Sequence, residues 1–67
     1  MLCLLEAIKN FRFVVEQNPL STEAIKNLAK AYIITGKTEE AGKSIARLRE
    51  LKEFDIADSL EKTTKAM

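Results

Sequence analysis

The sequence predicts an all-α fold, a helix–turn–helix repeat of four helices over about 2–17, 22–35, 38–52 and 56–66. Three observations carry this expectation. Apolar residues recur at the 3.6-residue period of amphipathic helices. Capping residues and helix breakers stand between the periodic segments. The chain also repeats itself. Ala7, Phe11 and Val14 are matched 34 positions later by Ala41, Ile45 and Leu48, and Glu6, Lys9 and Glu16 recur unchanged as Glu40, Lys43 and Glu50. A period of this length is that of a two-helix unit, which cannot bury its apolar face alone and stacks on its neighbours.

In the first helix, positions 4, 7, 8, 11, 14 and 15 form one apolar stripe. Leu2, Leu5 and Phe13 lie off it, so the apolar arc is wide. Asn18-Pro19 ends the helix, because a residue before proline is pushed out of the α region. Ser21 then suits an N-cap, with Glu23 in the first turn and Leu20 and Ile25 spaced as a hydrophobic staple. Ile25, Leu28, Ala29 and Tyr32 share one face of the second helix. Gly36 is placed to close it in the left-handed conformation.

Thr38 is the expected N-cap of the third helix, followed by Glu39 and Glu40. Ala41, Ile45, Leu48 and Leu51 give its stripe. Gly42 inside it costs about 1 kcal/mol relative to alanine, which implies a close helix approach there. The fourth helix is expected to start at Phe54-Asp55 with Asp55 as cap. The repeat reaches this point, Leu20 mapping to Phe54 and Ser21 to Asp55, and then dissolves as Ile25 becomes Ser59 and Leu28 becomes Lys62. Such a helix buries one face and wets the other, as the end of a stack must.

Composition narrows function by exclusion. Sixty-seven residues make one domain over 1–67, or a fragment of a longer array, with a modest core. The net charge of +1 comes from interspersed lysines and glutamates, against the basic stripe of a nucleic-acid binder. Arg47, Arg49 and Lys52 are offset by Glu50 and Glu53, so no basic recognition helix is formed. No run approaches the ~20 apolar residues that span a bilayer, so no membrane insertion is expected. Glu6 interrupts the apolar start, which also lacks the basic region of a signal peptide. The single cysteine, Cys3, excludes an internal disulfide and points to a reducing, cytoplasmic setting. It sits among Met1, Leu2, Leu4 and Leu5 and reads as a small buried hydrophobe.

No catalytic, cofactor-binding or metal-ligating residue is expected. There is no histidine, no cysteine pair, and only two glycines, so no phosphate loop. Glu39 and Glu40 suit a helix first turn, and Tyr32 suits a core aromatic. The chain does not read as an enzyme.

These residues resemble a tetratricopeptide repeat. From Thr22, Leu28, Ala29 and Tyr32 match the large–small–aromatic signature of its first helix. Gly36 matches the turn glycine, and Ala41, Ile45 and Leu48 match the second helix. Ile25 stands where tryptophan is common, and Glu53 replaces the closing proline. Ala7, Phe11, Val14 and Pro19 match the second half of a preceding unit. The resemblance covers about 5–53.

It implies a non-enzymatic module that binds a peptide or helix of a partner protein, as a scaffold or chaperone-type adaptor. The first helix of each unit in that family lines a concave groove. Carried over by position, the groove residues are Glu23, Lys26, Asn27, Lys30, Ile33 and Ile34. Lys26 and Lys30 share a face and, with Asn27, can hold a carboxylate. The alternative is self-assembly into a homodimer or oligomer. The preceding unit lacks its first helix, so Leu4, Ile8, Phe11 and Val15 are expected to be only partly covered. Leu2, Leu5, Phe11 and Phe13 would then pair with a second copy.

Overall fold

The computed structural model describes residues 4–65, and these form four α-helices and no strand. They are α1 Leu4–Gln17, α2 Thr22–Ile34, α3 Thr38–Glu50 and α4 Phe54–Lys65. The expected starts and ends beyond these limits, with Leu2 and Cys3, lie outside the described residues.

Ser21 caps α2 as its sequence position implies. Its backbone is extended (φ −76°, ψ 104°), and its hydroxyl accepts from the Ala24 N–H at 3.4 Å. The accompanying staple does not close, because Leu20 is exposed while Ile25 is buried. Thr38 is the first residue of α3 rather than its cap. Lys37 precedes it and offers no side-chain cap. Asp55 likewise sits in the first turn of α4. The Glu53 carbonyl accepts from Ala57 N–H to open that helix, and the Glu53 carboxylate accepts from the Thr22 hydroxyl at 3.0 Å. That bond ties the N-terminal ends of α2 and α4 together.

Helices α2 and α3 end alike. Past α2, Gly36 N–H bonds the Ile33 carbonyl and Lys37 N–H bonds that of Tyr32. Past α3, Lys52 N–H bonds the Arg49 carbonyl and Glu53 N–H bonds that of Leu48. Both are Schellman closures, which need a left-handed residue at their centre. Gly36 (φ +78°) supplies it cheaply, and Lys52 (φ 65°) supplies it against the clash of its own Cβ.

Helix α2 is the hub, packing against α1, α3 and α4, and α3 also packs on α4. Ile25, Leu28, Ala29, Tyr32 and Ile33 of α2 meet Ile8 of α1, Ala41, Ile45 and Leu48 of α3, and Ala57 and Leu60 of α4. Ala29, Ala41 and Ala57 are wholly enclosed, one small residue per helix, which lets the backbones approach. Ile25 and Leu48 are the largest fully buried side chains. Each contributes about 1.5–3 kcal/mol through removal from water.

The sequence repeat has unequal surroundings. Leu48 is 0% exposed, whereas its repeat equivalent Val14 is 41% exposed. Ala41 and Ile45 are buried, whereas Ala7 and Phe11 are half-buried. The reason is that α3 lies between α2 and α4, while among the described residues α1 packs on α2 alone. Ile8 departs from the expected partial coverage and is buried in the core. The space around Gly42 also departs from expectation. A Cβ placed there meets nothing within 4 Å, so no helix approaches it closely. Helix α4 does behave as the end of a stack, with Ala57 and Leu60 buried and Asp58, Ser59, Lys62 and Thr63 exposed.

Candidate functional site

The six residues expected to line a groove fall into three environments. Lys26 and Lys30 line a cleft of about 260 Å³ between α2 and α4. Glu23, Asn27 and Ile34 stand on the adjoining outer ridge of α2, Asn27 half-buried and the other two exposed. Ile33 is not a groove residue. It is 3% exposed and belongs to the core. With three helices packed around it, α2 buries an arc from Ala24 to Ile33 and leaves only this ridge to solvent.

The opposite wall of the cleft comes from α4, through Asp55, Ile56, Ser59 and Leu60. Sequence reasoning placed the groove on α2 alone. The clue to the second wall was the 34-residue register. It makes α4 the equivalent of α2, so the two present related faces side by side. Ile56 and Leu60 give the cleft an apolar strip. Lys26 is held by Glu23 at 3.0 Å, one helical turn away. Lys30 is exposed and forms no ion pair among the described residues. The cleft therefore offers the uncommitted ammonium of Lys30, that of Lys26 paired to Glu23, the Asp55 carboxylate on the facing wall, and apolar contact from Ile56 and Leu60.

A larger cleft, of about 680 Å³, opens between α3 and α4. Its charges satisfy one another. Arg49 pairs with Asp58 at 3.2 Å and with Glu61, and Lys65 reaches Glu61 at 3.4 Å. Such exposed pairs add about 0–1 kcal/mol each and leave no charge for a ligand to answer.

The residues expected to mediate self-association are divided as well. Leu2 lies outside the described residues. Phe11 is half-buried against the core. Leu5 and Phe13 are 58% and 62% exposed, Leu5 flanking the face packed on α2 and Phe13 turned farther from it. At about 100° per residue, they stand about 80° apart around the helix, with Lys9 and Glu16 between them and Arg12 just beyond Leu5. The outward arc is thus mixed rather than a continuous apolar stripe.

No group of three His, Cys, Asp or Glu side chains among the described residues is placed to hold a metal ion. No described helix is long and apolar enough to cross a membrane. Comparison with protein-family models, curated proteins and solved structures returns no match.

Proposed function

We propose that this chain is a tetratricopeptide-type interaction module that holds a peptide or helix of a partner protein in the α2–α4 cleft, without catalytic chemistry. The observation that carries it is the pairing of Lys26 and Lys30 with the apolar strip of Ile56 and Leu60 in one cleft. A carboxylate with a neighbouring apolar side chain answers both features, and a free C-terminus supplies that pair on a single residue. The repeat-related placement of α2 and α4 supports the family resemblance. The lone cysteine supports a cytoplasmic setting.

The test is a titration with a short peptide ending in an aliphatic residue and a free carboxylate, followed by amide NMR shifts. Shifts should gather at Lys26, Lys30, Ile56 and Ser59, and should shrink as salt rises past about 0.15 M. Amidation of the peptide terminus should abolish them. Shifts of equal size with the amidated peptide would refute terminal-carboxylate capture.

Self-association is the second reading, favoured by the openness of Ala7, Phe11 and Val14 where their equivalents on α3 are buried. A second copy packed on this face would cover them, with two-fold pairing the commonest closed arrangement. This surface differs from the Leu5 and Phe13 arc. Sedimentation at about 100 μM should then show a dimer that Val14→Glu dissociates. A monodisperse monomer would dispose of the pairing.

A further inference from the structure

A third cleft lies across α2 from the Lys26–Lys30 side, between α1 and α3. The two helices stay more than 8 Å apart at their Cα atoms among the described residues, and α2 forms the floor between them. The opening holds about 570 Å³ and continues into a smaller one of about 190 Å³. Ile8 and Tyr32 give an apolar base, with Leu5 at one rim.

The walls are cationic. Lys9 and Arg12 come from α1, Lys37 from the turn before α3, and Lys43 from α3. Lys9 and Lys43 are equivalent residues of the 34-residue repeat. Against these four cations stand Glu40 and, at the far end of the trough, Glu16. None of the four cations forms an ion pair among the described residues; the pairs present involve Lys26, Arg47, Arg49 and Lys65. A chain of net charge +1 therefore gathers uncommitted positive charge at one trough with an apolar floor.

We propose that the α1–α3 trough binds an acidic segment of a partner protein, carboxylates against Lys9, Arg12, Lys37 and Lys43 and an apolar side chain on Ile8 and Tyr32. Charge complementarity selects the acidic partner. The apolar base, with Glu40 and Glu16 in the trough, favours a protein segment over a phosphate backbone, which has no apolar side chain to place there. The trough is separate from the α2–α4 cleft and needs no free C-terminus.

The probe is the capped peptide acetyl-Asp-Glu-Leu-Phe-Glu-Asp-amide, which carries no terminal carboxylate, so it leaves out capture of a free C-terminus, and the positions of the shifts tell the trough from the α2–α4 cleft. Titrated into the full chain, it should move the amide signals of Lys9, Arg12, Lys37 and Lys43, with a Kd of about 1 mM or tighter. Raising the salt from about 0.05 to about 0.5 M should weaken it several-fold. The exposed pair Lys9→Glu and Lys43→Glu should together weaken it about tenfold or more while leaving the helical circular dichroism unchanged. Lys62→Glu on α4 should have no effect. Shifts at Lys26, Lys30 and Ile56 alone, or binding indifferent to the double reversal, would overturn the proposal. So would a short oligothymidylate binding these residues more tightly than the peptide.

Discussion

Replacing Lys52 with glycine should stabilise this chain, and the size of the gain follows from the two matching helix ends. Lys52 holds φ 65° in the same closure that Gly36 makes at φ +78°. A left-handed residue with a Cβ costs about 1–2 kcal/mol. Glycine removes that cost and adds unfolded-state freedom worth about 0.5–1 kcal/mol. The lysine charge near the C-terminal end of α3 gives up a few tenths more. Lys52→Ala isolates the backbone contribution, since it loses the charge and keeps the Cβ. Glycine should therefore exceed alanine by roughly 1 kcal/mol, about 4–8 °C in Tm for a domain of this size. Thermal melts of both variants by far-UV circular dichroism measure the difference. The exposed side chain forms no ion pair among the described residues, so no lost contact confuses the comparison. Equal melting points would show that this turn does not hold its left-handed residue in solution.

Three further substitutions test the packing. Gly36→Val should cost at least about 1–2 kcal/mol and Gly36→Asn clearly less, because asparagine tolerates the left-handed region; equal melts for glycine and valine would contradict the turn. Gly42→Ala should raise stability by about 1 kcal/mol, since its Cβ enters open space inside a helix, and a lowered Tm would mean that space is filled. Leu48→Ala should cost about 2–5 kcal/mol, a large share of the stability of so short a chain, while Val14→Ala at the equivalent exposed position should cost much less. Urea midpoints of the two variants that coincide would place Val14 in the core as well.

Much of the architecture was legible because helix period, caps and repeat agree with one another. Ser21 and Gly36 do what their residue types favour, and Pro19 follows the end of α1. The turn at Lys52 was not legible, since lysine carries no left-handed signature and the neighbouring hydrogen bonds impose that conformation on it. Asp55 has the chemistry of a cap but lies in the first turn, two residues past the position that opens the helix, because Glu53 opens α4 with its backbone while its carboxylate serves Thr22. Gly42 suggested a close approach that packing does not use. Ile33 and Ile34 are adjacent in sequence and about 100° apart on the helix, so one entered the core and the other stayed on the ridge. The cationic trough was hidden for another reason. Its four cations lie on α1, α3 and the turn between α2 and α3, and only the spacing of α1 from α3 reveals that they face one opening.

The most direct test of the interaction-module account is the affinity of a carboxylate-terminated aliphatic peptide for the wild-type chain and for Lys30→Glu. Lys30 is exposed, lies at the α2–α4 cleft and has no ion-pair partner among the described residues, so its reversal leaves the core intact. An exposed ion pair is worth up to about 1 kcal/mol, and reversing the charge turns that attraction into repulsion. A loss of about five- to tenfold in affinity is expected, with the melting temperature unchanged. Unaltered affinity in a folded Lys30→Glu variant would contradict the assignment of the α2–α4 cleft as the partner-binding groove.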